Sequence, residues 1–214
     1  MNKIQAVRGT TDLYASEMQV YSKVINDAKL VSEFFGYAES SFYIFEKDEV
    51  FSRPLGHSSD VVSKETYTFN DRGGEKITLR PEGTAGIMRS ILSEGKINDL
   101  PLKLFYSGPM FRYERPQKGR LRQFFQIGIE NIGNECPLED AEVIACGASL
   151  LKRLGFNKDC VLNLNSLGDT ESRNLYRKSL VEYFSKNLEK LSQLSQSRLS
   201  LNPLRILDSK ETQD

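Results

Sequence analysis

Between Leu102 and Glu130 an arginine-rich loop separates two apolar, strand-like runs, a pattern that folds most simply as one long hairpin. The first run holds Leu102, Leu104, Phe105, Met110 and Phe111, and the second holds Phe124, Phe125, Ile127 and Ile129. Between them Arg112, Arg115, Lys118, Arg120 and Arg122 stand against a single acid, Glu114, and Pro116 and Gly119 mark the turn. Planar guanidiniums gathered at a tip and its strand ends suit a hairpin to gripping polyphosphate. A charged loop is also what a solvated hairpin tip looks like. Arg112 and Gln126 fit that second reading less well, because they stand among apolar neighbours, where a polar group is costly unless partnered.

The remaining chain supplies partners for such a hairpin. Met18, Tyr21, Val24, Ile25, Ala28, Val31, Phe34 and Phe35 recur at helical spacing, and Gly36 ends the run. Phe42 to Phe45 reads as a strand. Thr66 to Phe69 and Ile77 to Leu79 read as a hairpin across residues 70–74. A helix is expected over Thr84 to Leu92 and another over Leu138 to Leu154, with Gly155 at its end. Val161 to Leu164 reads as a strand and Asp169 to Leu191 as a helix with acids in its first turn. The polar tail from Ser192 reads as helix or linker. Strands joined mainly as hairpins with helices on one side imply an α+β fold around an antiparallel sheet.

Composition excludes several classes. Hydrophobic residues are 39% and charged residues 27% of 214, an ordinary globular balance. With 29 basic and 29 acidic side chains the formal net charge is zero, so only the Arg112 loop offers a local argument for nucleic acid. Cys136, Cys146 and Cys160 have no paired-ligand spacing and His57 is the only histidine, which argues against a zinc site, a disulfide framework and a histidine base. His57 itself lies in the polar run GHSSD, which reads as a loop. There is no long apolar run and no signal-peptide pattern, so no membrane association and a cytoplasmic location are expected.

The words of the sequence carry a resemblance. FRYERPQKGRLRQF resembles motif 2 of the class II aminoacyl-tRNA synthetases in the histidyl-tRNA synthetase version, and TLRPEGT (residues 78–84) looks like that family's histidine-binding strand and turn. VRGTTD (7–12), YTFNDRGGE (67–75), LNSLGD (164–169) and NPLRILDSK agree with the same family. Each word alone is weak, and their order along almost the whole chain is specific.

The resemblance implies a class II synthetase-like antiparallel sheet flanked by helices, incomplete at its C-terminus. Residues 1–168 would form the N-terminal part of the catalytic core, and 169–214 the start of a helical insertion. Motif 3 and the anticodon-binding domain of the family have no counterpart here. The activity implied is ATP-dependent activation of histidine and its transfer to tRNA. ATP and Mg2+ are implied as substrate and its ion, and the isolated chain is expected to be weakly active or inactive.

By the same resemblance, Arg112 would bridge the histidine carboxylate and the ATP α-phosphate, and Arg120 would take the terminal phosphate. Glu114 would accept from the adenine amino group and Phe124 would stack on the ring, although a core aromatic explains Phe124 as well. Glu82, Gly83, Thr84, Gln126 and Glu130 would bind histidine. Glu130 would face the imidazole, and Gln126 lies four residues before it on the same strand face. For Glu82 and Glu130 a surface ion pair is the competing explanation. Arg115, Gln117 and Arg122 would face the tRNA acceptor end. Motif 1 implies a homodimer, although Tyr43 stands where the family carries a proline, and Tyr113 stands where a histidine often follows the motif 2 arginine. The alternative is the synthetase-like regulatory subunit of ATP phosphoribosyltransferase, which binds histidine without charging tRNA and has no need of the RPQKGR loop.

Overall fold

Residues 3–55, 65–115, 117–156, 158–166 and 168–212 are described by a computed structural model. Pro116 and the GHSSD run with His57 lie outside the described residues. The chain separates into two units, Met1–Cys160 and Val161–Asp214, a boundary a few residues ahead of position 168.

In the first unit the 3.6-period run folds as helix α1 (Ala15–Phe34). Strand β1 (Ala38–Glu39) follows, then β2 (Phe45–Lys47), helix α2 (Glu49–Leu55), β3 (Tyr67–Asn70) and β4 (Lys76–Leu79). Helix α3 (Thr84–Ser93) leads into the long strands β5 (Leu102–Phe111) and β6 (Gln123–Ile132), and helix α4 (Pro137–Arg153) closes the unit. The strands form two sheets, ordered β1-β5-β6 and β2-β4-β3. Among the described residues every strand pair is antiparallel, as expected, except that the two-residue β1 runs parallel to β5.

The single strand expected over residues 42–45 is not formed. Ser40 donates from both its amide and its hydroxyl to the Phe105 carbonyl, at 2.8 and 3.0 Å. Phe42 then turns its ring into the core against Tyr106, 5.2 Å between centroids. The segment thus crosses from the first sheet to the second, and pairing resumes only at Phe45.

Strict alternation along β5 and β6 gives the first sheet two apolar faces. Phe105, Ile127 and Ile129 point to α1 and α4, packing with Ala28, Val31, Tyr37 and Cys146. Tyr106 and Met110 point the other way, toward Phe42 and toward Ile87 and Ile91 of α3. Burying each such large side chain contributes on the order of 1.5–3 kcal/mol. Asp27 of α1 clasps Arg153 of α4 at 2.7 Å and Lys23 at 2.6 Å. Strand β6 ends the sheet order, so its outer edge carries no strand among the described residues.

In the second unit residues 161–164 are extended, but among the described residues no strand lies alongside them, and Val161 is 83% exposed. The Asp169 carboxylate accepts from the Ser172 amide at 2.7 Å and caps helix α5 (Thr170–Ser185). That helix stops short of Leu191: Asn187 donates its side-chain amide to the Tyr183 carbonyl, and a single 3-10 turn follows at Leu188–Lys190. The polar tail resolves as helix α6 (Gln193–Leu201), capped by the Ser192 hydroxyl. Leu180, Phe184, Leu191 and Ile206 form this unit's core.

Candidate functional site

Register decides which side chains can meet. Gly108 faces Gln126, Tyr106 faces Gly128 and Leu104 faces Glu130 across β5 and β6, so the even-numbered residues share the face that looks toward α3. Gln126 and Glu130 therefore stand on one face with Gly128 between them, as their spacing predicts.

The turn after β4 is fastened to this face by Arg80. Arg80 is 5% exposed; its guanidinium donates to the carbonyls of Pro109 and Phe42 at 2.9 Å each and lies 4.7 Å from the Phe42 ring. The Arg80 carbonyl also accepts from the Phe111 amide. This brings residues 81–84 over the sheet. A side chain at Gly83 would come within 2.3 Å of the Tyr106 ring, and one at Gly128 within 2.2 Å. The ring thus fills the space that two absent side chains leave.

Glu82 is neither free nor in a surface ion pair. Its carboxylate accepts from the amides of Thr84 and Ala85, at 2.6 and 2.9 Å, and so caps α3. Thr84 donates its hydroxyl to Glu130 at 2.7 Å. Burial raises the Glu130 carboxyl above its ordinary range, and the nearby Glu82 charge adds to this against the lowering effect of Thr84. Gln126 Oε1 is buried without a hydrogen-bond partner. A buried acceptor left open is costly, so this atom suits a donor brought by a ligand.

Beyond Gln126 the face turns basic. Arg112 donates to the Pro81 carbonyl at 2.9 Å, and its guanidinium carbon lies 5.1 Å from the Phe124 ring centroid. Glu114 binds Arg120 at 3.1 Å and lies 3.9 Å from Arg112, so one carboxylate holds two guanidiniums. Arg112, Glu114, Arg120 and Phe124 line one cleft of about 510 Å³. A second, more apolar cavity of about 460 Å³ adjoins the other side of Glu82 and Thr84, against Val50, Met88 and Leu92. Charged side chains line both, but Lys47, Arg53 and Arg89 of the second each pair with a separate carboxylate, Glu75, Glu49 and Glu46; the first gathers Arg112 and Arg120 around one, and it is the one whose chemistry suits phosphate.

The loop is pinned at its stem and open at its tip. The Arg122 amide donates to the Gly9 carbonyl at 2.7 Å, and the Tyr113 amide to the Glu65 carbonyl at 2.6 Å. Gln117 and Arg120 bridge each other across a tight turn that Gly119 permits with φ of 79°. Arg115 and Gln117 are exposed. Arg122 instead folds back over the Tyr113 ring, 4.1 Å from its centroid. Among the described residues no three His, Cys, Asp or Glu side chains converge on a cation position. No helix of the described residues is long and apolar enough to cross a membrane.

The arrangement unites Glu82, Gly83, Thr84, Gln126 and Glu130 in one acceptor-rich floor, and Arg112, Glu114, Arg120 and Phe124 in the cleft beside it. Arg115, Gln117 and Arg122 are not gathered into either. Sequence reasoning missed Arg80 and Tyr106. A glycine, Gly128, facing a tyrosine across the hairpin was the available signal for the second.

The chain as a whole is similar to known proteins. The family model described as histidyl-tRNA synthetase matches residues 9–198. A histidine–tRNA ligase of Gluconacetobacter diazotrophicus is 53% identical over all of this chain and 52% of its own length. The apo histidyl-tRNA synthetase of S. aureus is similar in structure with a TM-score of 0.78, at 36% identity, over 97% of this chain and 49% of that one. An ATP phosphoribosyltransferase regulatory subunit/histidyl-tRNA synthetase of Bacillus halodurans shares the fold with a TM-score of 0.65 at 23% identity, over 91% of this chain and 54% of that one. The chain spans about half the length of the curated relatives it matches.

Proposed function

The chain belongs to the histidyl-tRNA synthetase family, and on that premise we propose that it carries the amino-acid and ATP sites of a histidine–tRNA ligase. In the reaction proposed, a histidine carboxylate oxygen attacks the ATP α-phosphorus, the bond to the bridging oxygen breaks, and pyrophosphate leaves. A hydroxyl at the 3' end of tRNA then attacks the carbonyl carbon of the adenylate, the bond from that carbon to the phosphate oxygen breaks, AMP leaves, and the hydroxyl proton passes to AMP or water. The observation that carries this reading is the junction of two chemistries on one sheet face. Glu130 and the unpartnered Gln126 Oε1 offer only acceptors, which suit an ammonium and an imidazole N–H. The arginine cleft begins at the next turn of the hairpin.

Arg112 stands between the two, where it can hold the carboxylate against the α-phosphate and stabilise the charge that develops on transfer. Its partner Glu114 holds Arg120 in the same cleft, ready for the terminal phosphate. Phe124, with Arg112 over its ring, offers the adenine a face to stack on. Magnesium would arrive on the phosphate oxygens, with much of its shell supplied by water. Arg115 and Gln117 at the exposed tip would meet the tRNA acceptor end, and a second copy of the chain would complete a dimer through the motif 1 region. The regulatory-subunit reading shares the fold. The arginine-rich loop favours the ligase, because a subunit that only senses histidine needs no group at that tip.

The test is histidine-dependent exchange of pyrophosphate into ATP by this chain, beside Arg112→Ala. Exchange that needs histidine and falls at least about 100-fold in the variant supports the reading. Exchange that the variant retains removes Arg112 from its role. If the chain shows no exchange, the same pair of proteins is compared within a chain of the relatives' full length. For transfer, Gln117→Ala is expected to slow tRNA charging and spare exchange.

A further inference from the structure

Tyr113 stands where the family often carries a histidine, and the proposed reaction gives it no part. It is 53% exposed, so its ring does not fill a core. The ring instead holds two neighbours. Tyr67 of β3 meets it edge to face, 5.5 Å between centroids, and the guanidinium carbon of Arg122 lies 4.1 Å from its centroid. This stack sits where the hairpin ladder ends. The Arg112 amide donates to the Arg122 carbonyl at 3.0 Å, and the Tyr113 amide then turns away from the opposite strand to the Glu65 carbonyl. Among the described residues no backbone bond crosses the loop again until Gln117 pairs with Arg120. Glu114 lies inside that gap, and its carboxylate is the one that holds Arg112 and Arg120. Side chains join the strands there: Arg122 over Tyr113, the Arg122 Nε bond to the Glu114 carbonyl at 3.4 Å, and the Arg120 ion pair. Unlike Arg112 and Arg120, Arg122 pairs with no carboxylate among the described residues, and its one bond to Glu114 is long, so the Tyr113 ring is what fixes its plane.

We propose that Tyr113 is a positioning residue of the phosphate cleft: its ring fixes the Arg122 guanidinium, and Arg122 steadies the backbone at Glu114 so that one carboxylate holds Arg112 and Arg120 together. The face of the ring does this, and the hydroxyl has no share in it. A phenyl ring therefore serves as well, whereas an aliphatic side chain lacks the negative face that attracts a cation. The acceptor floor is independent of the stack, because Gln126 and Glu130 lie within the paired length of β5 and β6. ATP as the occupant of the cleft rests on the reading given under Proposed function, whereas the stack and its hold on Glu114 do not.

The experiment follows the arginine Nε–H signals by NMR in the ligand-free chain, in wild type, Tyr113→Phe and Tyr113→Leu. A guanidinium above a ring face is shifted upfield by the ring current. The Arg122 signal is expected to show that shift in wild type and Tyr113→Phe and to lose it in Tyr113→Leu. The Arg112 and Arg120 signals should move in Tyr113→Leu and keep their wild-type positions in Tyr113→Phe. An unshifted Arg122 signal in wild type overturns the proposal, and so do Arg112 and Arg120 signals that Tyr113→Leu leaves in place. The same proteins are then titrated with Mg-ATP and, separately, with L-histidine. Tyr113→Leu is expected to bind ATP about two- to fivefold more weakly, the size of one exposed cation–ring contact, and Tyr113→Phe to bind it as wild type does. The loss for histidine should be smaller, since its carboxylate would meet Arg112 alone. Unchanged ATP affinity in Tyr113→Leu overturns the positioning role, as does a histidine loss as large as that for ATP, which would mean a general loosening. Weaker ATP binding in Tyr113→Phe would place the action in the hydroxyl and overturn it too. A wild-type chain whose arginine signals respond as expected but which binds no ATP refutes the ATP reading and supports the hold on Glu114.

Discussion

Adding one methyl group at Gly128 should destabilise this protein, and adding the same group at Gly147 should stabilise it. At Gly128 the new carbon would lie 2.2 Å from the Tyr106 ring, where real β-carbons do not come within 3.0 Å. The ring would have to retreat by roughly 1 Å to restore ordinary contact. It has nowhere to go, because Gly83 closes over its other side and a β-carbon there would lie only 2.3 Å away. Overpacking of this kind costs about 1–3 kcal/mol, and a ring enclosed on both sides belongs at the upper end. Gly147 lies inside α4, exposed, and a methyl group added there would meet nothing within 4 Å. Alanine there lowers the entropy of the unfolded chain and should stabilise by about 0.5–1 kcal/mol. Urea denaturation followed by circular dichroism measures both against wild type. The two variants should differ by roughly 2–4 kcal/mol with opposite signs. If Gly128→Ala costs less than about 0.5 kcal/mol, or both variants move the same way, the tight seating of Tyr106 is wrong.

Arg80→Met removes two hydrogen bonds to buried carbonyls and a cation over Phe42, and should cost about 2–4 kcal/mol in the same assay. A loss below about 1 kcal/mol would mean that other contacts fasten the 81–84 turn. Asp27 titrates below its ordinary range, chiefly through its bond from Lys23 and then that from Arg153. A lowered carboxyl contributes stability above the unfolded value and loses it as pH falls through the folded one. Asp27→Asn should therefore melt lower than wild type at pH 7, with the gap closing under acid; a gap independent of pH would contradict the pairing. Glu130 has the opposite sign, since its raised carboxyl favours the folded state only while protonated. Glu130→Gln should accordingly melt at or above wild type at pH 7, with that advantage shrinking as pH falls, while histidine binding is lost. A Glu130→Gln protein markedly less stable than wild type at neutral pH would contradict the burial effect.

Much of this architecture was legible because its periods are long and uninterrupted. The helical run that became α1 and the alternation around the Arg112 loop needed no tertiary information. Residues 42–45 show the opposite case. Their β-type composition suits a strand, yet Ser40 and Phe42 are held by groups on β5, and no local rule anticipates a crossing between sheets. The extended stretch at 161–164 fails for a related reason, since a strand needs a neighbour as well as a pattern. Within the site, the shared face of Gln126 and Glu130 followed from spacing alone. The capping role of Glu82 did not, because it depends on where the turn sits above the first amides of α3. The joint hold of Glu114 on Arg112 and Arg120 likewise depends on how the loop folds over.

The bond between the Arg122 amide and the Gly9 carbonyl bears on how the site comes into being during synthesis. Gly9 leaves the ribosome long before Arg122, so for much of translation its partner does not exist. The hairpin from Leu102 to Ile132 can close on itself once its second strand emerges, since its contacts are local. Its basic tip, however, reaches its held geometry only when that newly made segment meets a much older part of the chain. Until then the stem is held by its own strands and by the bond from the Tyr113 amide to the Glu65 carbonyl.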